Sequence, residues 1–256
     1  MSTSLLSVRQ LDVAIGARSF CCGLDLDLAA GGFLAILGRN GAGKSTLLSV
    51  LAGLRPAQGG SVSIDGLGLA DADPRAVARR RGYLAQHQQD PFACTVIEAV
   101  LAGRHPHLSR WEWESAADRR IANQALERVG LGHFGERQIH TLSGGERQRV
   151  GLATLLAQQP SIYLLDEPLT HLDLNHQIAV LDTLCGLAKE GAVVVAVLHD
   201  PSLALRYSDQ ALLLEGDGAW CAGASTEVLT AKNLSRLYGH PLVKVDGPHH
   251  PVFVPE

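Results

Sequence analysis

At 256 residues the chain can form one large domain or two small lobes around a core of ordinary size, so it needs no covalent or metal staple to fold. Its formal net charge of −4 gives no overall basic field, which speaks against a protein that grips nucleic acid by neutralising phosphates. Five cysteines, Cys21, Cys22, Cys94, Cys185 and Cys221, are odd in number and lack C-x-x-C spacing; this disfavours a disulfide framework or zinc site and fits a reducing compartment.

From Leu5 to Leu28 apolar and polar residues alternate, as in Leu24-Asp25-Leu26-Asp27-Leu28, which predicts half-buried antiparallel strands. Gly31-Gly32 then turns the chain into Phe33-Leu34-Ala35-Ile36-Leu37, an apolar run of the length of a fully buried strand. Next comes Gly38-Arg39-Asn40-Gly41-Ala42-Gly43-Lys44-Ser45-Thr46, which fits G-x-x-x-x-G-K-[ST], and Leu47 to Ala52 suits the helix that should follow. Strand, glycine loop and helix are the setting that makes this pattern a phosphate cradle. The glycines let successive backbone N–H groups close on a polyphosphate, and the helix N-terminus adds partial positive charge. Lys44 is expected to reach the β- and γ-phosphates and Ser45 to place its hydroxyl on a magnesium ion, so nucleotide binding is the first functional expectation.

Pro56, Gly59 and Gly60 mark a turn, and Ser61 to Gly66 alternates again, extending the antiparallel sheet. The arginine runs Arg79-Arg80-Arg81 and Arg119-Arg120 read as solvated helix faces. Tyr83-Leu84-Ala85-Gln86 is a short strand ending in a polar residue, and His87 to Phe92 has no periodicity. Thr95-Val96-Ile97-Glu98 has capping-box form, and a second helix from near Ser115 places Ile121, Ala125, Leu126 and Val129 on one face. A helical lobe is therefore expected over residues 87–158.

The core resumes at Ser161 to Glu167, an apolar strand ending in two carboxylates. A helix from about Asn175 follows, with Ile178, Leu181, Leu184 and Leu187 at helical spacing, and then a buried strand from Ala192 to Leu198 that ends at His199. Strand, helix, strand implies a parallel sheet with a right-handed crossover, so Asp166, Glu167 and His199 should emerge on the same edge as the phosphate loop.

Leu142-Ser143-Gly144-Gly145-Glu146-Arg147-Gln148-Arg149 is on one reading only a helix start, because Ser143 and Glu146 have capping-box spacing. A serine hydroxyl and two glycine N–H groups at a helix tip also form an anion site. Since the chain already has its own phosphate loop, that site makes sense only if it faces a γ-phosphate held by another subunit. With the loop, Gln86, this segment, Asp166-Glu167, Thr170-His171-Leu172-Asp173 and His199 in this order, the chain resembles the nucleotide-binding subunit of ABC (ATP-binding cassette) transporters over almost its whole length. LSGGERQR is similar to that family's signature motif.

The resemblance implies an α/β P-loop NTPase core with a mainly parallel sheet, a small N-terminal antiparallel β subdomain and an inserted helical subdomain. Residues 1–86 and 159–224 would form the core with its β subdomain, 87–158 the helical subdomain and 225–256 a C-terminal tail. It implies two copies packed head to tail, each ATP lying between one copy's loop, Gly38 to Thr46, and the other copy's Ser143, Gly144, Gly145 and Glu146. Ser45, Gln86 and Asp166 would hold Mg2+, and Glu167 would orient or deprotonate the attacking water. His199 would meet the γ-phosphate and the Asp173 segment of the opposite copy, and Gln86 would report nucleotide state to a partner. The family's adenine-stacking aromatic has no clear counterpart: its place falls at Ile15, with Arg18 and Phe20 as alternatives.

The longest purely apolar stretch, Ala192 to Leu198, is far too short to span a bilayer, and Met1 to Leu6 has no signal-peptide form. For a chain with no span of its own, the resemblance implies a peripheral subunit on the cytoplasmic face of the inner membrane, working with a separate permease and, indirectly, a substrate-binding protein, but not with nucleic acid. Gly103 to His107 and the tail from Asn233 to Pro255 are similar to the subgroup that powers uptake of iron–siderophore, haem and cobalamin complexes. His105, His107, His249 and His250 lack ligand spacing and read as surface residues. The nearest alternative is the ATPase of a zinc or manganese ion importer. A nucleic-acid ABC ATPase would need coiled-coil insertions, tandem cassettes or a basic surface.

Overall fold

The alternating N-terminal segment folds as β1 (Ser4–Ile15) and β2 (Arg18–Ala29), an antiparallel pair that buries Leu6, Val8, Leu11, Leu24 and Leu28 on one side. The following run, β3 (Phe33–Gly38), is buried at every residue, as a central parallel strand covered on both faces must be. It feeds the glycine loop and α1 (Lys44–Leu51), after which β4 (Gly59–Ile64) and β5 (Leu67–Gly68) complete a sheet of order β2-β1-β4-β5. The structure, a computed structural model of the chain, describes residues 4–86, 93–109, 111–247 and 250–256.

α2 (Pro74–Arg80), capped by the Asp73 side chain on the Ala76 N–H at 3.0 Å, leads directly into β6 (Arg81–Leu84). The run Arg79-Arg80-Arg81 is therefore not one solvated helix face. Arg79 Nε donates to the Pro106 carbonyl at 2.8 Å, Arg80 Nε lies 3.5 Å from Asp65, and Arg81 is half-buried in the strand.

The expected start of the helical subdomain, residues 87–92, lies outside the described residues. Beyond it, Thr95 and Glu98 close a capping box that opens α3 (Val96–Leu101), followed by a 3-10 turn (Ala102–His107) and α4 (Ala116–Arg128), which opens on a Ser115–Asp118 box. Arg104 Nε donates to Asp118 at 2.9 Å across these elements in a nearly buried pair. The Ser115 hydroxyl first, and Arg104 next, hold the Asp118 carboxyl down at about 2. α5 (Gly144–Gln158) then packs along α3 and α4 and returns the chain to the core.

The second half alternates β7 (Ile162–Leu165), α6 (Leu174–Lys189), β8 (Val193–Val197), α7 (Pro201–Tyr207), β9 (Gln210–Leu214) and β10 (Trp220–Ala224). The sheet order is β10-β9-β3-β8-β7-β6, parallel except for the last antiparallel pair β9–β10. β3 divides the interior. Leu34 and Ile36 join the cluster around α1 and the antiparallel sheet, while Phe33, Ala35 and Leu37 join the one formed with the helices on the other face.

Residues 225–256 are more than a tail. α8 (Ser225–Val228) and α9 (Ala231–Tyr238), which buries Leu234 and Leu237, are followed by a hairpin of β11 (Leu242–Val245) and β12 (Val252–Pro255) that packs against α7. Thr230 before α9 and Gly239 after it are a cap pair that the sequence carried. No helix among the described residues is long and apolar enough to cross a membrane.

Candidate functional site

The loop after β3 closes because Gly43 takes φ 94° as the N-cap of α1; a Cβ there would fall 2.5 Å from the Phe20 side chain. Lys44 is 5% exposed, and its Nζ donates to the carbonyls of Gly38 at 2.8 Å and Arg39 at 3.1 Å. The ammonium is thus folded under the loop it belongs to. Burial lowers its pKa, and the charges of Glu167 and Asp166 oppose that shift. Gly38 ends β3 beside its parallel neighbour β9, where a Cβ would come within 2.7 Å of the Leu214 carbonyl oxygen.

The parallel register of β7 and β8 brings the second group of side chains to the same edge. Asp166, just past β7, is 2% exposed, and burial raises its carboxyl, opposed by a hydrogen bond from Ser45. Its Oδ1 is buried and has no hydrogen-bond partner among the described residues. Such a bare oxygen beside a serine hydroxyl fits a hard divalent cation, which prefers carboxylate, hydroxyl and amide oxygens. The residues present therefore suit Mg2+.

Glu167 has both carboxylate oxygens occupied. Gln86 Nε2 donates to Oε2 at 2.9 Å, with Thr170 Oγ1 at 3.4 Å, and His199 Nε2 lies 2.9 Å from Oε1. Burial pushes this carboxyl up, but the bonds from His199 and Gln86 and the charges of His199 and Lys44 bring it below the usual value. The backbone of Glu167 has φ 52°, a left-handed conformation that a non-glycine residue adopts only under constraint and that aims the side chain at the cavity.

These groups line one open cavity of about 550 Å³, formed by Arg18, Phe20, Asn40, Gly41, Gly43, Lys44, Ser45, Thr46, Gln86, Glu167 and His199. Gly38, Arg39 and Ala42 shape the loop without lining it, and Asp166 lies beneath. Of the three candidates for the adenine contact, Arg18 and Phe20 are at the cavity, with the Arg18 guanidinium 5.1 Å from the centre of the Phe20 ring. Ile15 is 49% exposed and does not line it.

The signature segment is elsewhere. Ser143 caps α5: its hydroxyl accepts from the Glu146 N–H at 3.3 Å and donates to Glu146 Oε2 at 2.8 Å, and both Ser143 and Gly144 are exposed. None of Ser143, Gly144, Gly145 and Glu146 lines the cavity. Asp173 is exposed as well and caps α6, accepting from the His176 N–H at 2.9 Å and contacting His176 Nδ1 at 2.8 Å.

Two residues that lie in the sequence motifs but were given no individual role there pack beside the site. Gln148 is nearly buried on α5, and its Nε2 donates to the Glu167 carbonyl at 3.4 Å. His171, at φ 63°, packs on the start of α5, where a Cβ on Gly145 would meet the His171 carbonyl oxygen at 2.9 Å. The signal for Gln148 was its place in the LSGGERQR segment, on the face of α5 that also buries Leu152 and Leu155. Among the histidines read as surface residues, His107 Nε2 lies 2.8 Å from the Gln158 carbonyl and His105 3.7 Å from Glu114, while His249 lies outside the described residues.

Residues 21–170 match the family described as ABC transporter. The ferric enterobactin transport ATP-binding protein FepC of Escherichia coli (strain K12) is 39% identical over 251 residues, covering 96% of this chain and 92% of that protein. A hemin import ATP-binding protein, HmuV of Deinococcus radiodurans, is 40% identical over 252 residues, covering 96% and 95%. Among solved structures, a metal-chelate type ABC transporter in an inward-facing conformation aligns with a TM-score of 0.87 at 31% identity, over 99% of this chain and 98% of that one. A dimeric ATP-binding cassette in a post-hydrolysis state, bound to ADP and Pi, aligns with a TM-score of 0.75 at 26% identity, over 86% and 98%.

Proposed function

The chain belongs to the ABC transporter family as an ATP-binding, ATP-hydrolysing subunit, and from that premise we propose that it powers an importer of a metal chelate: an iron–siderophore complex, haem or cobalamin. The observation that carries the mechanism is a division of labour. The cavity gathers Lys44, Ser45, Gln86, Glu167 and His199 around the phosphate loop, whereas the serine-led tip of α5 is exposed and does not line it.

Two copies packed head to tail join these halves. The polyphosphate rests on the loop N–H groups and Lys44 of one copy, and the Ser143 hydroxyl with the Gly144 and Gly145 N–H groups of the other closes on the γ-phosphate. Ser45, Asp166 and Gln86 would hold Mg2+, which would supply positive charge against the phosphates. Glu167 orients the water and takes its proton. His199 bonds the γ-phosphate, and the opposite Asp173 segment steadies it. Domain boundaries at 86, 158 and 224 place the loop and both carboxylates in the core and the signature in the helical subdomain, so rotation between them opens or closes the site.

The permease docks beside the helical subdomain, holding this subunit at the cytoplasmic face of the inner membrane. A groove of about 500 Å³ there is lined by Arg75, Leu108, Trp111, Trp113 and Glu114 among others, and Trp111 and Trp113 are 87% and 86% exposed. Arg75 and Arg79 tie α2 to the Pro106 carbonyl at 3.2 and 2.8 Å. α2 runs into β6, and β6 runs to Gln86 and its bond to Glu167. A permease element pressing on this groove therefore acts on the base.

The test is transport by the co-purified permease complex in vesicles. ATP-driven uptake of a labelled ferric siderophore, haem or cobalamin, with none of free Zn2+ or Mn2+, is expected; uptake of the free ion alone moves the protein to the ion-importer reading. A second expectation concerns the dimer. Ser143→Arg spares ATP binding by the separate chain and blocks closure by placing bulk where the γ-phosphate must approach. Ser143→Arg and Lys44→Ala homodimers should both be inactive, yet their mixture should recover turnover, because each mixed dimer contains one intact composite site. No recovery on mixing counts against the shared site.

A further inference from the structure

The C-terminal hairpin sits where it can govern one side chain of the site. β12 touches the molecule through Phe253, whose backbone N–H donates to Ser202 Oγ at 3.0 Å. Ser202 is the second residue of α7, and its own N–H donates to Asp200 Oδ1 at 2.7 Å, with the Leu203 N–H on the same oxygen at 3.2 Å. Asp200 directly follows His199, whose Nε2 lies 2.9 Å from Glu167 Oε1. An unbroken path of short bonds thus runs from the hairpin to the carboxylate.

α7 has only seven residues, too few to hold its own register in water, so its position depends on what it packs against. Ala204 and Tyr207 are buried and anchor its later turn. Its first turn has Asp200 as a cap, and the hairpin holds it from outside. The hairpin is itself docked: Leu242 and Phe253 pack on the core, the Leu242 N–H donates to Ser235 Oγ at 2.8 Å on α9, and the Glu256 N–H closes on the Pro241 carbonyl at 3.2 Å. A two-stranded hairpin has little stability alone, so this docking is what makes it a fixed support.

We propose that the C-terminal hairpin is a brace for His199, with Ser202 as the positioning residue that passes its hold to the start of α7. The inference rests on the reading of His199 as a site residue. Without the Ser202 hydroxyl the Phe253 N–H loses its partner, the first turn of α7 gains freedom, and His199 spends less time within reach of Glu167 or a γ-phosphate. A displaced positioning group lowers turnover more than it lowers nucleotide binding.

The experiment uses the full chain and its ATPase rate. Ser202→Ala should lower kcat about three- to tenfold, the range that one net hydrogen bond supports, with KM for ATP changed by less than about twofold. Ser202→Thr, which keeps the hydroxyl, should return most of the rate. In a His199→Ala background, Ser202→Ala should cause no further loss, because the two changes then act on one element. Wild-type turnover in Ser202→Ala overturns the brace, and so does an equal fractional loss with and without His199. A His199→Ala chain that hydrolyses ATP as fast as the wild type overturns the underlying reading of His199 instead.

Discussion

Lys44→Ala should lose ATP binding by at least about tenfold to a hundredfold, the range expected when a charge-assisted contact to a polyphosphate is removed. The structure explains why no neighbour substitutes. Lys44 is the cation enclosed by the loop, held by the Gly38 and Arg39 carbonyls, while Arg18, which also lines the cavity, is engaged over Phe20 and His199 is held against Glu167. The variant also leaves two carbonyls without their donor, so folding and binding must be read separately. Thermal unfolding does this. Saturating Mg2+ and ATP at a hundred times the wild-type Kd should stabilise the wild type by about 2.7 kcal/mol and raise its Tm, whereas the variant at the same nucleotide concentration should gain at most about 1.4 kcal/mol and a correspondingly smaller rise in Tm. A nucleotide-dependent rise in Tm equal to that of the wild type would remove Lys44 from the phosphate site.

The parts of this protein that were legible in its sequence are those in which a local pattern and a fold rule agree. Phe33 to Leu37 had to be a central strand because nothing in it tolerates water, and G-x-x-x-x-G-K-S after it fixed where a phosphate could rest. Strand–helix–strand order then placed Glu167 and His199 on one edge, and the structure puts them 2.9 Å apart. What stayed hidden depends on contacts distant in sequence. Phe20 lies under Gly43, and no periodicity links the two. Gln148 reaches the Glu167 carbonyl from α5, nineteen residues earlier in the chain. The arginines before β6 looked like a solvated face because charge runs usually are, yet the chain changes from helix to strand between Arg80 and Arg81. The C-terminal strands are short and half exposed, with Val243, Val245, Val252 and Val254 between 36% and 45% accessible, so no apolar run announced them. In the signature segment the capping box and the proposed anion site would use the same serine, and only a second copy can tell the two uses apart.

Glu167→Gln should keep ATP affinity, slow hydrolysis by about a hundredfold to ten-thousandfold, the usual worth of a general base, and accumulate an ATP-bound dimer. The substitution is nearly isosteric and leaves the backbone demand at φ 52° unchanged, since glutamate and glutamine strain there alike. What it removes is the charge and one acceptor. In the wild type Gln86 and His199 each address a separate carboxylate oxygen, and both of those oxygens accept. A glutamine presents one carbonyl and one NH2, so one of these two contacts must reorient, and the side chain no longer takes a proton from water. Binding is spared because the groups that face the phosphates, the loop N–H groups and Lys44, are untouched; loss of the like charge near Asp166 should, if anything, favour the polyanion. The dimer accumulates because closure follows ATP binding and reopening needs its cleavage. Gel filtration with Mg2+ and ATP should show the variant at twice the chain mass and the wild type returning to the lighter species as ATP is consumed. Undiminished turnover in the variant would leave the water without Glu167 as its base, and the proton would have to go to another oxygen in the cavity, the γ-phosphate itself being the nearest in charge.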